Sequence, residues 1–546
     1  MNKDNINNSN VPSNKGVGGS FMKQAAVLAA AGILVRILGF FYRLPLTDLI
    51  GDKGNGLYAA GYNIYNFFLI MSSAGLPVAI SRMISVKLTL GEYTNAKKIF
   101  KVSMLAATCL SVFCAIVLGI FAKGFAAVLG FEDSYWCMYT LTPTIVIVGI
   151  MAVFRGYFQG FQTTVPTAIS QLIEQVFNAF FSVYLAYLLV GFGVEYGAAG
   201  GTAGTGIGAL AGLIVLITYY LKSRDSRNKA FNSDKKDYLI ESNKTILKNL
   251  VAIAFPIIAG TAIFSMTNLV DMFMVSDRLR VAGFDQRSIE ALYGQLNGKY
   301  VTLSTLPVSI SAAIATAVIP SIAASLTRKE HKEVQSKIDT TLRLTMIISI
   351  PAAAGLGALG VQILAMLFPN YKDGGLLIQV GSFSVIFLAL SQITTGVLQG
   401  IGKVNIPARN ALIGAIFKIP VNYFLIAVEG INVIGAIIGT TVCYIICSLL
   451  NFRALVKATN VKPDYVGMLV KPAISAMFMA LASIYSYKLF YMLMPSNTAS
   501  TLLAIMVALL VYLVVMVLIG GFKEEDLKLM PAGGKLIALL KKFNRL

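Results

Sequence analysis

The stretch AGILVRILGFFYRLPL, residues 31–46, decides how the chain is to be read. Apart from Arg36 and Arg43 it holds only apolar residues, glycine, proline and a single tyrosine. It suits a membrane-spanning helix, yet it carries two permanent cations seven residues apart. The rest of the sequence supports the membrane reading. The 546 residues are 56% hydrophobic and only 13% charged, with a mean hydropathy of +0.74, whereas soluble domains carry about 25% charged residues. Apolar stretches of roughly 20 residues, long enough to span a bilayer, recur from one end to the other. The fold class expected is therefore an all-α polytopic membrane protein, with fourteen spans from 24–47 to 499–521.

Charge orients it. Most of the 45 Lys and Arg residues fall in alternate loops and in both tails. By the positive-inside rule those loops, and the N and C termini, face the cytoplasm. The net charge of +20 is thus a topology signal with some affinity for membrane lipids, and no nucleic-acid footprint is read from it. The five cysteines show no metal-ligand spacing and read as small core residues. His331 lies in the charged run TRKEHKEV and reads as a solvated loop residue. No G-x-x-x-x-G-K-[ST] loop, nucleophile–base set or metal cluster occurs. An enzyme and an ATP-driven pump are both disfavoured, and no cofactor or metal is expected.

The chain repeats. GYFQGFQTTVP (156–166) returns as GVLQGIGKVNIP (396–407), and GAAGGT (197–202) as GAIIGT (435–440). Two pseudo-symmetric lobes follow: residues 24–221 after an N-tail (1–23), and residues 249–458 after a polar linker (222–248). Spans 13–14 (459–522) and a basic C-tail (523–546) lie outside the repeat. Duplicated bundles place a substrate path between their halves.

Charged groups at lipid depth cost several kcal/mol unless they face a partner or a water-filled cavity. Five stand out: Arg36, Arg43, Glu174, Asp271 and Lys418. Arg36 and Arg43 sit two turns apart, about 10 Å along one helix face, and two guanidinium forks in one wall suit a multivalent anion such as a diphosphate. The competing reading is structural ion pairing, Arg36 with Asp271 and Glu174 with Lys418. Arg82 and Lys299 stand at opposite mouths, as substrate ligands or as interface anchors. Asn63, Asn66, Ser72 and Ser73 suit sugar hydroxyls or helix packing, and Tyr58, Tyr62 and Tyr65 suit an interfacial belt as well as a cavity wall.

The residues VRILGFFYRLPLTDLIG, NIYNFF and GLPVAISR, with GYFQG…P and TLPVSISAAIATAVIPSIAASL, resemble the polysaccharide-exporter branch of the multidrug/oligosaccharidyl-lipid/polysaccharide (MOP, MATE-like) superfamily. The SpoVB-like group, related to the MurJ lipid II flippases, is the nearest within it. The resemblance implies a V-shaped cavity in the bacterial cytoplasmic membrane and alternating access. The implied cargo is an undecaprenyl-diphosphate-linked glycan for cell wall, spore cortex or polysaccharide, and the implied partners include cell-wall synthesis enzymes. Spans 13–14 are implied as a groove for the lipid tail. Arg36 matches the family's first-span arginine, Arg43 matches the second after a one-residue shift, and Lys299 approximates one early in the eighth span. The late second span reads LIMSSAG and holds none. Asp271, Asn422 and Thr440 resemble part of a sodium site found in some relatives, but Lys418, one turn before Asn422, places an ammonium where that ion would sit. Two other functions stay open: a cation-coupled multidrug antiporter, which wants carboxylates in its cavity, and a non-transporting scaffold of a cell-envelope complex.

Overall fold

The computed structural model describes residues 15–224, 234, 238–403 and 405–529, and among them every regular element is helical. The first half comprises α1 (Lys15–Ser73), α2 (Leu76–Leu90), α3 (Tyr93–Val128), α4 (Tyr135–Gly160), α5 (Val165–Leu189) and α6 (Val194–Lys222). The second half begins with α7 (Asn243–Val281), α8 (Gln286–Gly294), a π-helical segment (Gln295–Val301), α9 (Thr302–Thr327) and α10 (His331–Leu367). It continues through α11 (Gly375–Gly381), α12 (Ser384–Gly400), α13 (Asn405–Ile426), α14 (Ile434–Thr459), α15 (Lys471–Leu493), α16 (Asn497–Leu518) and α17 (Glu524–Leu529). Among the described residues ten helices are long and apolar enough to cross a membrane, or eleven if α11 and α12, bent by 52°, form one span. The protein is a multi-pass membrane protein.

Helix ends follow local chemistry. The 59-residue α1, at 1.5 Å per residue, is far longer than a bilayer is thick. It is broken at Gly51, whose φ of 67° is open to glycine at no steric cost. The expected second span, 56–81, is cut short of its end. α1 stops at Ser73, and α2 restarts with Pro77 in its first turn, a position that needs no helical N–H donor. Gly75 sits so close to α7 that a Cβ there would lie 2.5 Å from the Ala254 carbonyl oxygen. The expected linker also ends early, because the Ser242 side chain accepts a hydrogen bond from Thr245 N and starts α7.

The internal repeat is structural as well as sequential. α4 and α12 end on the same bonds: Thr163 N to Phe158 O (3.0 Å) and Gln162 N to Gln159 O (2.9 Å) in one, Lys403 N to Leu398 O (2.8 Å) and Gly402 N to Gln399 O (3.0 Å) in the other. The left-handed residue of each cap is Gln162 (φ 55°) or Gly402 (φ 80°), as in a Schellman-type stop.

Close packing uses small residues, as membrane interfaces do. Gly200, Gly204 and Gly208 let α6 lie directly on α5; a Cβ at Gly204 would meet Ser182 N at 2.2 Å. α15 and α16 pack on α10, where Tyr512 donates to the Ile347 carbonyl at 2.8 Å. Arg343 lies inside α10 and is 1% exposed. It grips Asp526 of α17, itself fully buried, through Nε and Nη2 at 2.9 and 2.7 Å, while Nη1 holds Asp339 at 2.9 Å. Removing one partner of a buried pair strands the other charge and costs about 3–5 kcal/mol. Asp526→Ala is therefore expected to lower the detergent-solution Tm by several degrees, and an unchanged Tm would show that the clamp contributes nothing.

Candidate functional site

A cavity of about 610 Å³ opens between α1, α5 and α9. α1 supplies Arg36 and Arg43, α5 supplies Gln175 and Asn178, and α9 supplies Thr302, Thr305 and Ser309; Tyr62 closes one side. Arg36 is exposed at the mouth, 3.5 Å from the Ser309 carbonyl. Arg43 lies deeper, and its Nη1 donates to Thr302 Oγ1 at 3.1 Å. No carboxylate lines the cavity, so among the described residues the two cations meet hydroxyls and a carbonyl and no countercharge. Tyr42 and Tyr58, their hydroxyls 3.4 Å apart, are buried beside Arg43. With Tyr65 also buried, the second-span tyrosines lie inside the bundle and do not form an interfacial belt, and of the three only Tyr62 lines the cavity.

The expected ion pairs are corrected. Arg36 does not reach Asp271. Asp271 is bound by Lys418 and by Asn422 Nδ2 at 3.1 Å. Glu174 pairs with Arg155 at 2.6 Å and not with Lys418, because α4 runs on to Gly160 and carries Arg155 inside the bundle. Thr440 lies half-buried on α14. Its neighbour Gly439 packs so tightly that a Cβ would come within 1.9 Å of Asn422 Oδ1. Asp271 is thus already engaged by the Lys418 ammonium and the Asn422 amide, and these residues do not fit a resident sodium ion.

Other expected ligands lie elsewhere. Lys299 is 1% exposed and locked by Asp52 at 2.6 Å and by the Tyr371 and Asp373 carbonyls, both at 2.8 Å. It belongs to a latch and not to the cavity. Arg82 lines a separate cavity of about 290 Å³ with Lys87, Glu241 and Asn249. Asn63 donates to the Tyr293 hydroxyl at 2.9 Å, and Asn66 is half-buried off the cavity wall. Ser72 and Ser73 bond back to the Leu69 carbonyl, so neither offers a hydroxyl to a sugar.

The latch joins α1 to α8 and to the π-helical segment. Gly56 and Gly294 allow α1 and α8 to cross backbone to backbone: a Cβ at Gly56 would lie 2.0 Å from the Glu290 carbonyl oxygen, and one at Gly294 1.8 Å from that of Asp52. Around this crossing Gln295 donates to Asp52 at 2.9 Å, Asn370 Nδ2 to Asp48 at 2.6 Å, and Lys53 faces Glu290 at 3.7 Å. Burial pushes the Glu290 carboxyl above the usual carboxylate range, against the pull of Gln286 and Lys53. The contacts of Gly56, Gly294, Gln295, Asn370 and Lys53 each join the first half of the chain to the second.

Sequence reasoning missed Gln175, Asn178, Thr302, Thr305 and Ser309. Their spacing (175 and 178; 302, 305 and 309) puts each set on one helix face, a signal that was present but shared with ordinary packing residues.

Residues 21–326 match the family model described as Polysaccharide biosynthesis protein, and residues 300–424 match the MatE model. The chain is 24% identical over 522 residues to Stage V sporulation protein B of Bacillus subtilis, covering 95% of this chain and 99% of that one. It is 27% identical over 448 residues to the Lipid II flippase MurJ of the same organism, covering 78% and 80%. Its fold is similar to a solved structure of the lipid II flippase MurJ in an inward closed conformation, with a TM-score of 0.65 and 17% identity over 90% of this chain and 98% of that one. The chain thus belongs to the polysaccharide biosynthesis protein family, within the MOP superfamily that also holds the MurJ and MATE folds.

Proposed function

We propose that this protein is a flippase that carries an undecaprenyl-diphosphate-linked glycan across the bacterial cytoplasmic membrane by alternating access. The observation that carries the reading is the cavity with two guanidiniums and no carboxylate. Such a site, inside helices of this apolarity, attracts a phosphorylated headgroup and repels organic cations. Positive loop charge puts the tails in the cytoplasm and the latch outside. On this reading the fourteen spans form two lobes that meet at the latch, and the cavity lies on the cytoplasmic side of the seal. Arg36 then receives the diphosphate first and Arg43 next, while Gln175 and Asn178 offer amides to the first sugar. The α15–α16 pair supplies a surface for the lipid tail. The names of the relatives, a lipid II flippase and a sporulation protein, agree with a cell-wall or spore-cortex precursor as cargo.

The match to the MatE model raises the antiporter reading, but a cationic cavity has the wrong sign for organic cations, and the acid that would bind a coupling ion, Asp271, is already neutralised by Lys418. Transport by wild type is accordingly expected to be indifferent to sodium, and Lys418→Ala to become sodium-responsive in a vesicle assay. A sodium-dependent wild type would contradict this.

Complementation of cells depleted of their lipid II flippase tests the function. Rescue by wild type, with Arg36→Ala and Arg36→Lys both failing, supports bidentate diphosphate handling. Rescue by wild type and both variants alike would remove the arginine from the mechanism and favour a scaffold.

A further inference from the structure

The cavity and the latch are not independent. Thr302, which accepts from Arg43 at 3.1 Å, also donates to the Asn297 carbonyl at 3.3 Å. Asn297 lies within the π-helical segment Gln295–Val301. The same segment carries Gln295 and Lys299, whose side chains hold Asp52 at 2.9 and 2.6 Å. This seven-residue segment is therefore linked to Arg43 only through Thr302, the residue that follows it, while its own Gln295 and Lys299 side chains grip the opposite half of the chain. π-Helical turns are rare and recur at functional sites, because the extra residue can be expelled into an α-helical register.

We propose that Thr302 is a positioning residue through which occupancy of the cavity by a phosphorylated headgroup releases the latch. This rests on the flippase reading. In this structure the Arg43 guanidinium donates to Thr302, which in turn holds the Asn297 carbonyl and keeps the segment π-helical, with Gln295 and Lys299 aimed at Asp52. A diphosphate competes for the same guanidinium donors. Once Arg43 turns to phosphate, Thr302 loses its charged partner and the segment is free to relax to α-helix. Expelling one residue rotates the preceding turn by about 100° about the helix axis, which carries Gln295 and Lys299 off Asp52. Substrate binding thus favours opening because the ligand binds the unlatched state better, as any ligand-driven shift requires.

The test uses the full chain in lipid nanodiscs, with its five native cysteines replaced and spin labels placed at Glu132→Cys and Lys372→Cys, two exposed positions on the latch face. The probe is undecaprenyl diphosphate at saturation, with occupancy checked by native mass spectrometry. In the otherwise wild-type chain the probe should raise the long-distance population about tenfold, the scale of one charged hydrogen bond. Thr302→Val should show a raised long-distance population that no longer changes on adding the probe, and Thr302→Ser should respond as wild type. A Thr302→Val chain that is latched when empty and opens with probe as wild type does would overturn the relay and leave the flippase reading standing. A wild type that binds the probe without any change in distance would do the same. If wild type binds the probe no better than the Arg36→Ala/Arg43→Ala chain, both the relay and the flippase reading fall.

Discussion

Replacing Arg36 and Arg43 together by alanine is expected to reduce translocation of a polyprenyl-diphosphate glycan in reconstituted vesicles by about a hundredfold or more. Each guanidinium can make charge-assisted bonds to phosphate oxygens, and each such bond contributes about 1.5–3 kcal/mol. Neither side chain is held by a carboxylate in the cavity, so their removal leaves no buried acid unpaired. The loss of transport should therefore come without loss of Tm, which separates a substrate role from a structural one. Single lysine replacements should not restore the rate, because they keep the charge but lose the planar fork. A double-alanine chain that transports at more than half the wild-type rate would show that the cations serve something else.

The second large effect is expected at the latch. Gly56→Ala would place its Cβ 2.0 Å from the Glu290 carbonyl oxygen, a backbone atom that cannot rotate away. Relieving the clash means separating α1 from α8. The variant should populate the unlatched state at least about tenfold more than wild type, in line with the roughly 1–3 kcal/mol typical of overpacking. Its transport rate should fall in step, since a transporter that cannot close one end cannot alternate. Gly294→Ala should act alike from the other helix, its Cβ meeting the Asp52 carbonyl oxygen at 1.8 Å. Gly124→Ala on α3, where nothing lies within 4 Å, is the matched control and should be silent. The distance between labels at positions 132 and 372 reports all three, and equal distances in Gly56→Ala and wild type would show that this crossing is not the seal.

Some of this is legible in the sequence. Arg36 and Arg43 stood out because a permanent cation in an apolar run has few stable explanations, and the spacing of seven already placed both on one face. The repeat was legible too, down to the GxxQG that stops α4 and α12, because a helix stop is written in local residues. The partners were not. Lys299 reads as a cavity cation until Asp52 and the 371–373 turn, remote in sequence, fold onto it. Glu174 found Arg155 because the fold brings α5 against α4, and nothing local in FRGYFQG names that partner. Thr302 is one hydroxyl among many in membrane helices, and only its two neighbours, Arg43 and Asn297, distinguish it. The π-helical segment (Gln295–Val301) has no sequence signature at all.

Binding of undecaprenyl diphosphate to the purified protein, measured against undecaprenol as the uncharged control, reaches the central claim most directly. Wild type should retain the diphosphate and not the alcohol, and the Arg36→Ala/Arg43→Ala chain should lose that discrimination. Equal retention of both lipids by wild type, or undiminished preference for the diphosphate without the two arginines, would contradict the assignment of this cavity to a phosphorylated headgroup.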